Sequence, residues 1–131
     1  MNGYLLDTDI ASYIIRRRPE ALLGKFERHA HEINVSVITA AELRHGYTKS
    51  GSKPTEALVE HFLERVVVLD WTADETWTYA AARTAIERAG TPIGAMDLMI
   101  ASHAISRDLV LVTNNVKHFQ KVPLLAIELW V

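Results

Sequence analysis

Tyr4-Leu5-Leu6-Asp7-Thr8-Asp9 is a short apolar run that stops on a carboxylate, and a helical pattern over 9–17 follows it, ending before Pro19. An apolar run with no polar alternation has no wet face, so it suits a strand covered on both sides. Leu109-Val110-Leu111-Val112 repeats the layout near the other end and closes on Thr113-Asn114-Asn115. Between them, Ile33–Val37 is β-branched and alternating, and Val66–Leu69 reads as a buried-type strand. Leu124–Leu129 is a plausible last strand. Helical patterns fall at 21–30, at 40–48 after an N-cap at Thr39, at 55–64, at 74–89 and at 96–107. Gly90 and Pro92 supply helix-stop chemistry, and Ser50–Pro54 reads as a loop. Strands alternating with helices predict an α/β fold, a mainly parallel sheet covered by helices.

At 131 residues the chain is expected to form one domain, 1–131, with a substantial core. Its 49% hydrophobic and 23% charged composition is ordinary for a soluble globular protein. No apolar stretch approaches the roughly 20 residues of a membrane span, and Met1–Tyr4 leads straight into a strand without the layout of a signal peptide. Absence of cysteine excludes disulfides and thiolate zinc sites and fits the cytoplasm. The formal charge of −2 gives no general basic footprint, so any RNA contact needs a local patch, a metal or a dimer groove.

In parallel sheets ligands sit beyond the carboxyl ends of strands, near a switch in strand order. Asp7 and Asn115 fall at or after such ends, Glu42 lies in the first turn of the helix expected after the second strand, and Asp97 opens a helix. Carboxylates gathered there make a site for a hard divalent cation such as magnesium or manganese. Beside a phosphodiester, such an ion means a nuclease or phosphotransferase. Each residue also has a plain structural reading. Asp7, Thr8 or Asp9 can cap a helix, Thr39 and Glu42 fit a capping box, Asp97 favours a helix dipole, and Asn114 and Asn115 suit a turn.

The joint pattern is Leu5–Asp9, then Ser36–Leu43 with Gly46, then Gly90–Ala101, then Leu111–Asn115 with Phe119. In this order, across nearly the whole chain, it resembles the PIN-domain ribonucleases, and within them the VapC-type toxins of bacterial type II toxin–antitoxin systems. The resemblance implies a three-layer α/β/α sandwich and magnesium- or manganese-dependent endonucleolytic cleavage of RNA, with transfer RNA as the first guess. It implies Asp7, Glu42 and Asp97 as the acidic, metal-holding site, with Thr113 and Asn115 beside it orienting water or metal. It also implies a homodimer and an antitoxin partner, alone or as a hetero-oligomer. Two departures matter. Position 9 is Asp where the family usually shows Asn, and position 115 is Asn where many relatives carry an acid. The second favours one metal, or a second ion recruited with the RNA phosphate.

Six histidines offer no His-Glu-x-x-His spacing; His45 and His118 read as surface residues within reach of RNA. Arg16-Arg17-Arg18 is the one compact basic run, suited either to a helix C-terminus or to phosphate. Two alternatives stand beside the toxin: a degenerate PIN domain that binds nucleic acid or protein without turnover, and a structure-specific DNA- or RNA-processing nuclease.

Overall fold

The computed structural model describes residues 3–131, so the expectations for Met1 and Asn2 lie outside the described residues. Five strands, β1 (Tyr4–Leu6), β2 (Ile33–Ser36), β3 (Val67–Leu69), β4 (Val110–Val112) and β5 (Ile127–Glu128), form one sheet in the order β3-β2-β1-β4-β5. Every pairing is parallel. The helices are α1 (Thr8–Ile15), α2 (Glu20–Arg28), α3 (Val37–Ser50), α4 (Lys53–Arg65), α5 (Ala73–Arg88), α6 (Ala95–Ser106) and α7 (Val116–Phe119).

The continuous apolar strands do what their sequence predicts. Leu5 and Leu6 are both fully buried, yet on opposite faces of the sheet, because successive side chains of a strand alternate. Leu6 packs with Ile10, Ile14, Leu22, Phe26, Phe62 and Leu63 of α1, α2 and α4. Leu5 packs with Ile86 of α5 and with Leu98, Ile100 and Ala101 of α6. Two cores, one on each side of the sheet, give the three-layer α/β/α sandwich. Each fully buried Leu, Ile or Phe contributes roughly 1.5–3 kcal/mol.

The chain leaves β1 toward β2 and β3 on one side, then crosses over to β4 and β5 on the other. The switch therefore lies between β1 and β4, where Leu6 is in register with Val112. The Asp7 N–H donates to the Val112 carbonyl at 3.0 Å, tying the two strand ends together. Asp7 after β1 and Thr113–Asn115 after β4 are thereby held side by side at this crevice.

Four expectations are corrected. The α3 helix starts at Val37, not Ala40, because Ser36 is its N-cap and accepts from the Ile38 N–H at 3.0 Å. Thr39 is fully buried inside the helix, so the Thr39–Glu42 capping box does not form and Glu42 lies in the second turn. A capping box does exist at Thr72 and Glu75, opening α5. The β3 strand is not buried: Val67 and Val68 are 55% and 37% exposed, because it lies at the sheet edge and pairs only with β2. The 50–54 loop shrinks to a turn at Gly51 (φ 71°), since Ser50 ends α3 and Pro54 sits in the first turn of α4 after the Ser52 cap, where proline has no hydrogen bond to lose. Among the described residues no helix is long and apolar enough to cross a membrane.

Candidate active site

A cavity of about 160 Å³ opens at the switch point, lined by Asp7, Thr8, Asp9, Glu42, Asp97, Asn115 and Phe119. Five elements meet there. Asp7 ends β1 and caps α1, its Oδ1 accepting the Ile10 N–H at 2.8 Å. Glu42 comes from α3, and its Oε1 accepts from the Thr8 hydroxyl at 2.6 Å. Thr8 is in turn 3.1 Å from the buried Thr39 hydroxyl. Asp97 lies in the first turn of α6, half-buried, with Oδ2 3.1 Å from His118 Nε2 on α7. Asn115 precedes α7, and its backbone N–H donates to Thr113 Oγ1 at 2.9 Å.

The structure thus brings together Asp7, Glu42, Asp97 and Asn115, as the sequence predicts, and adds Asp9 and Thr8 to the wall. Thr113 is placed differently. It is fully buried behind the cavity, and its hydroxyl supports Asp7 and the Asn115 backbone rather than facing the space.

Electrostatics follow from burial. Only 3% of Asp7 is exposed. Burial pushes its carboxyl up; the Thr113 hydroxyl and the Ile10 N–H pull it back, the charges of Asp9 and Asp97 raise it again, and it ends at about 6. Four carboxylates line one small space with no basic side chain on its wall, so the set is short of positive charge. The donors are oxygens throughout, which is the chemistry a hard divalent cation takes. As the side chains stand, no three Asp, Glu or His groups among the described residues close on one point as a metal-holding cluster. Glu42 is turned to Thr8 and Asp97 to His118. The residues fit such an ion in kind, and Glu42 and Asp97 would reach it only by giving up those two hydrogen bonds.

The PIN domain family profile matches residues 4–125. The chain belongs to the PIN domain family. Within it, Ribonuclease VapC2 of Rickettsia felis is 40% identical over 130 residues, covering 97% of each chain. The tRNA(fMet)-specific endonuclease VapC of Salmonella typhimurium is 38% identical over 131 residues, covering 99% of each. The DNA-bound VapBC complex of Salmonella typhimurium, a crystal structure, superposes with a TM-score of 0.93 at 36% identity, covering 100% of both chains. At that identity over the full length, this PIN domain sits among the VapC ribonucleases.

Three supports of the PIN site were not legible as such. Thr8 reads as a cap but holds Glu42; Thr39 reads as a cap but backs Thr8. His118 reads as a surface residue but contacts Asp97. The short helix α7, which brings His118 and Phe119 to the site, was not anticipated either. Each depends on which strand ends meet, and spacing in one sequence carries no signal for that.

Proposed function

We propose that this PIN domain is a magnesium- or manganese-dependent endoribonuclease and the toxin of a toxin–antitoxin pair, with Asp7, Glu42 and Asp97 as its catalytic acids. The observation that carries the reading is the cavity at the β1–β4 switch point, walled by four carboxylates and no base. Asp7 is the fixed member, locked by the Ile10 N–H and the Thr113 hydroxyl. Glu42 and Asp97 are the adjustable members, each held by one side-chain partner that it can release. Asn115 offers an amide oxygen without charge, which favours a single tightly held ion. A bound magnesium or manganese ion would supply positive charge to the scissile phosphate and make water more acidic. The chain has no cysteine, and water is the nucleophile in this reading. The acids orient it, and the buried Leu5 and Leu6 anchor the strand that ends at Asp7.

Transfer RNA is the first substrate class to test, since the Salmonella relative is named a tRNA(fMet)-specific endonuclease. An antitoxin is the protein partner, in keeping with the VapBC complex of the same fold. A homodimer, alone or within a hetero-oligomer with that antitoxin, and a cytoplasmic site of action complete the reading, with residues 1–131 acting as one domain.

The test is incubation of the chain, freed of any partner, with total bacterial RNA and with transfer RNA in magnesium, manganese or chelator. Asp97→Asn runs beside it, its fold checked by circular dichroism. Discrete products that need metal and fall more than ~100-fold in the variant are expected. Equal cleavage by the variant would place the chemistry elsewhere. Preference for DNA flaps would indicate a processing nuclease, and binding without turnover in any metal a degenerate domain.

A further inference from the structure

A second and larger cavity, about 520 Å³, is lined by Tyr13, Arg16, Arg18, Pro19, Asn114 and Val131. We propose that this cleft is a nucleotide subsite, where one unpaired base flanking the scissile bond lies on Tyr13 while Arg16 and Arg18 hold the adjoining backbone phosphates. The proposal rests on the nuclease reading above and names where that substrate is gripped.

Successive residues of one loop line the two cavities. Asn114 lines the cleft and Asn115 the acidic pocket, and Asn114 Nδ2 donates to the Tyr13 hydroxyl at 3.4 Å. Along α1, Asp9 faces the acidic pocket and Tyr13 the cleft. Residues four apart stand on one helix face, about 6 Å along the axis. A strand whose phosphate sits at the acids therefore meets Tyr13 with its neighbouring nucleotide.

Local backbone geometry puts both arginines here. The α1 helix ends at Ile15, and Arg17 takes a left-handed conformation, φ 61°. The Arg18 N–H then bonds back to the Tyr13 carbonyl at 3.0 Å, and the Arg17 N–H to the Ile14 carbonyl at 3.0 Å. This reversal returns Arg18 to the side of Tyr13 and Arg16. A left-handed arginine is strained where glycine would not be, and such strain gathers at working sites.

The charge of the pair is free for a ligand. Arg44, Arg65, Arg83 and Arg107 are each bound to a glutamate, whereas Arg16 and Arg18 enter no ion pair among the described residues. Arg16 instead places its guanidinium 5.0 Å from the centre of the Tyr13 ring. A chain of net charge −2 with an acidic pocket repels RNA in general, so the backbone needs a local cationic anchor. An aromatic face beside guanidinium groups is the arrangement that binds single strands with little regard to base identity. The volume lies within the roughly 300–1,000 Å³ of ligand sites.

The probe is a fluorescein-labelled, single-stranded oligoribonucleotide of about twelve residues, held in chelator so that it stays intact, its binding followed by anisotropy from about 50 to 200 mM salt. The Arg16→Ala/Arg18→Ala double variant is expected to bind at least ~10-fold more weakly at low salt. Its log–log salt slope should be lower by about 1.4, roughly 0.7 for each single-strand phosphate lost. Tyr13→Leu should weaken binding about 5-fold or more with the slope unchanged, and Tyr13→Phe should restore it, since the ring does the stacking. Thermal melts of each variant exclude unfolding as the cause. An unchanged slope and affinity in the double variant would overturn the subsite, as would equal losses in Tyr13→Leu and Tyr13→Phe. So would unchanged RNA binding accompanied by loss of the protein partner, which would assign the cleft to that partner. Wild-type protein that cleaves cellular RNA but does not bind the probe would overturn the subsite alone. Neither binding nor cleavage would overturn the nuclease reading with it.

Discussion

Asp7→Asn is expected to stabilise the metal-free protein while abolishing its cleavage of RNA, a pair of opposite effects that damage to a core does not give. The reason is the cost of the Asp7 charge. Its carboxyl titrates at about 6 when folded, against an ordinary 3.8, first because it is buried and then because Asp9 and Asp97 repel it. The folded protein thus holds that proton more tightly than the unfolded chain does. Below about pH 4 both states are protonated and nothing is lost; between 4 and 6 the penalty grows. Above 6 it is complete, at roughly 3 kcal/mol. Asparagine keeps an oxygen for the Ile10 N–H and brings no charge. Melting at pH 7.5 should therefore rise by on the order of 10 °C, and the gain should vanish near pH 4. Added magnesium or manganese should stabilise the wild type, by mass action on the folded state, and leave the variant unmoved. Activity should fall by more than ~10³-fold.

Glu75→Ala acts in the other direction. Glu75 is fully buried at the start of α5. It accepts the Thr72 N–H at 2.9 Å, the Ser106 hydroxyl at 2.7 Å and Arg107 Nη2 at 3.0 Å. Burial alone would raise its carboxyl, but Arg107, the Thr72 N–H and Ser106 outweigh it and hold it at about 2. Its contribution is therefore present above about pH 4.5 and is lost as pH falls toward 2. Alanine removes the capping box and leaves the Arg107 guanidinium unpaired. The loss should be about 3 kcal/mol, toward the lower end for a broken buried pair because Arg107 is 32% exposed. That is a large share of the ~5–15 kcal/mol a domain has, and urea unfolding at pH 7 measures it. The effect reaches the site. His103 lies 3.7 Å from Glu75 and contacts the Ser36 hydroxyl at 2.8 Å, and Ser36 caps the helix that carries Glu42.

The layers were legible because Leu5-Leu6 and Leu109–Val112 carry no polar alternation, and a strand of that kind has to be covered twice. Strand order was not, since it is fixed by which helices pack on which face. The meeting of Asp7 and Asn115 at one cavity was legible for the same reason as the strands: both stand where the apolar runs stop. Thr39 reads as the cap because Glu42 follows three residues later, whereas Ser36, a capping residue of the same kind, stands inside an alternating β-branched run. Packing against Thr8 turned Thr39 inward and left the cap to Ser36. Val67 and Val68 read as buried because apolar runs do not reveal whether a strand lies at an edge. Thr113 looked like a member of the site and is a support for Asp7, a distinction made only by the direction its side chain takes.

The most direct test is diffraction at the manganese absorption edge from crystals of the chain grown with manganese. An anomalous peak bounded by the carboxylates of Asp7, Glu42 and Asp97 is expected, and it should be absent in Asp97→Asn. A peak seated elsewhere, or none in a preparation that cleaves RNA, would contradict the assignment of these acids as the metal site.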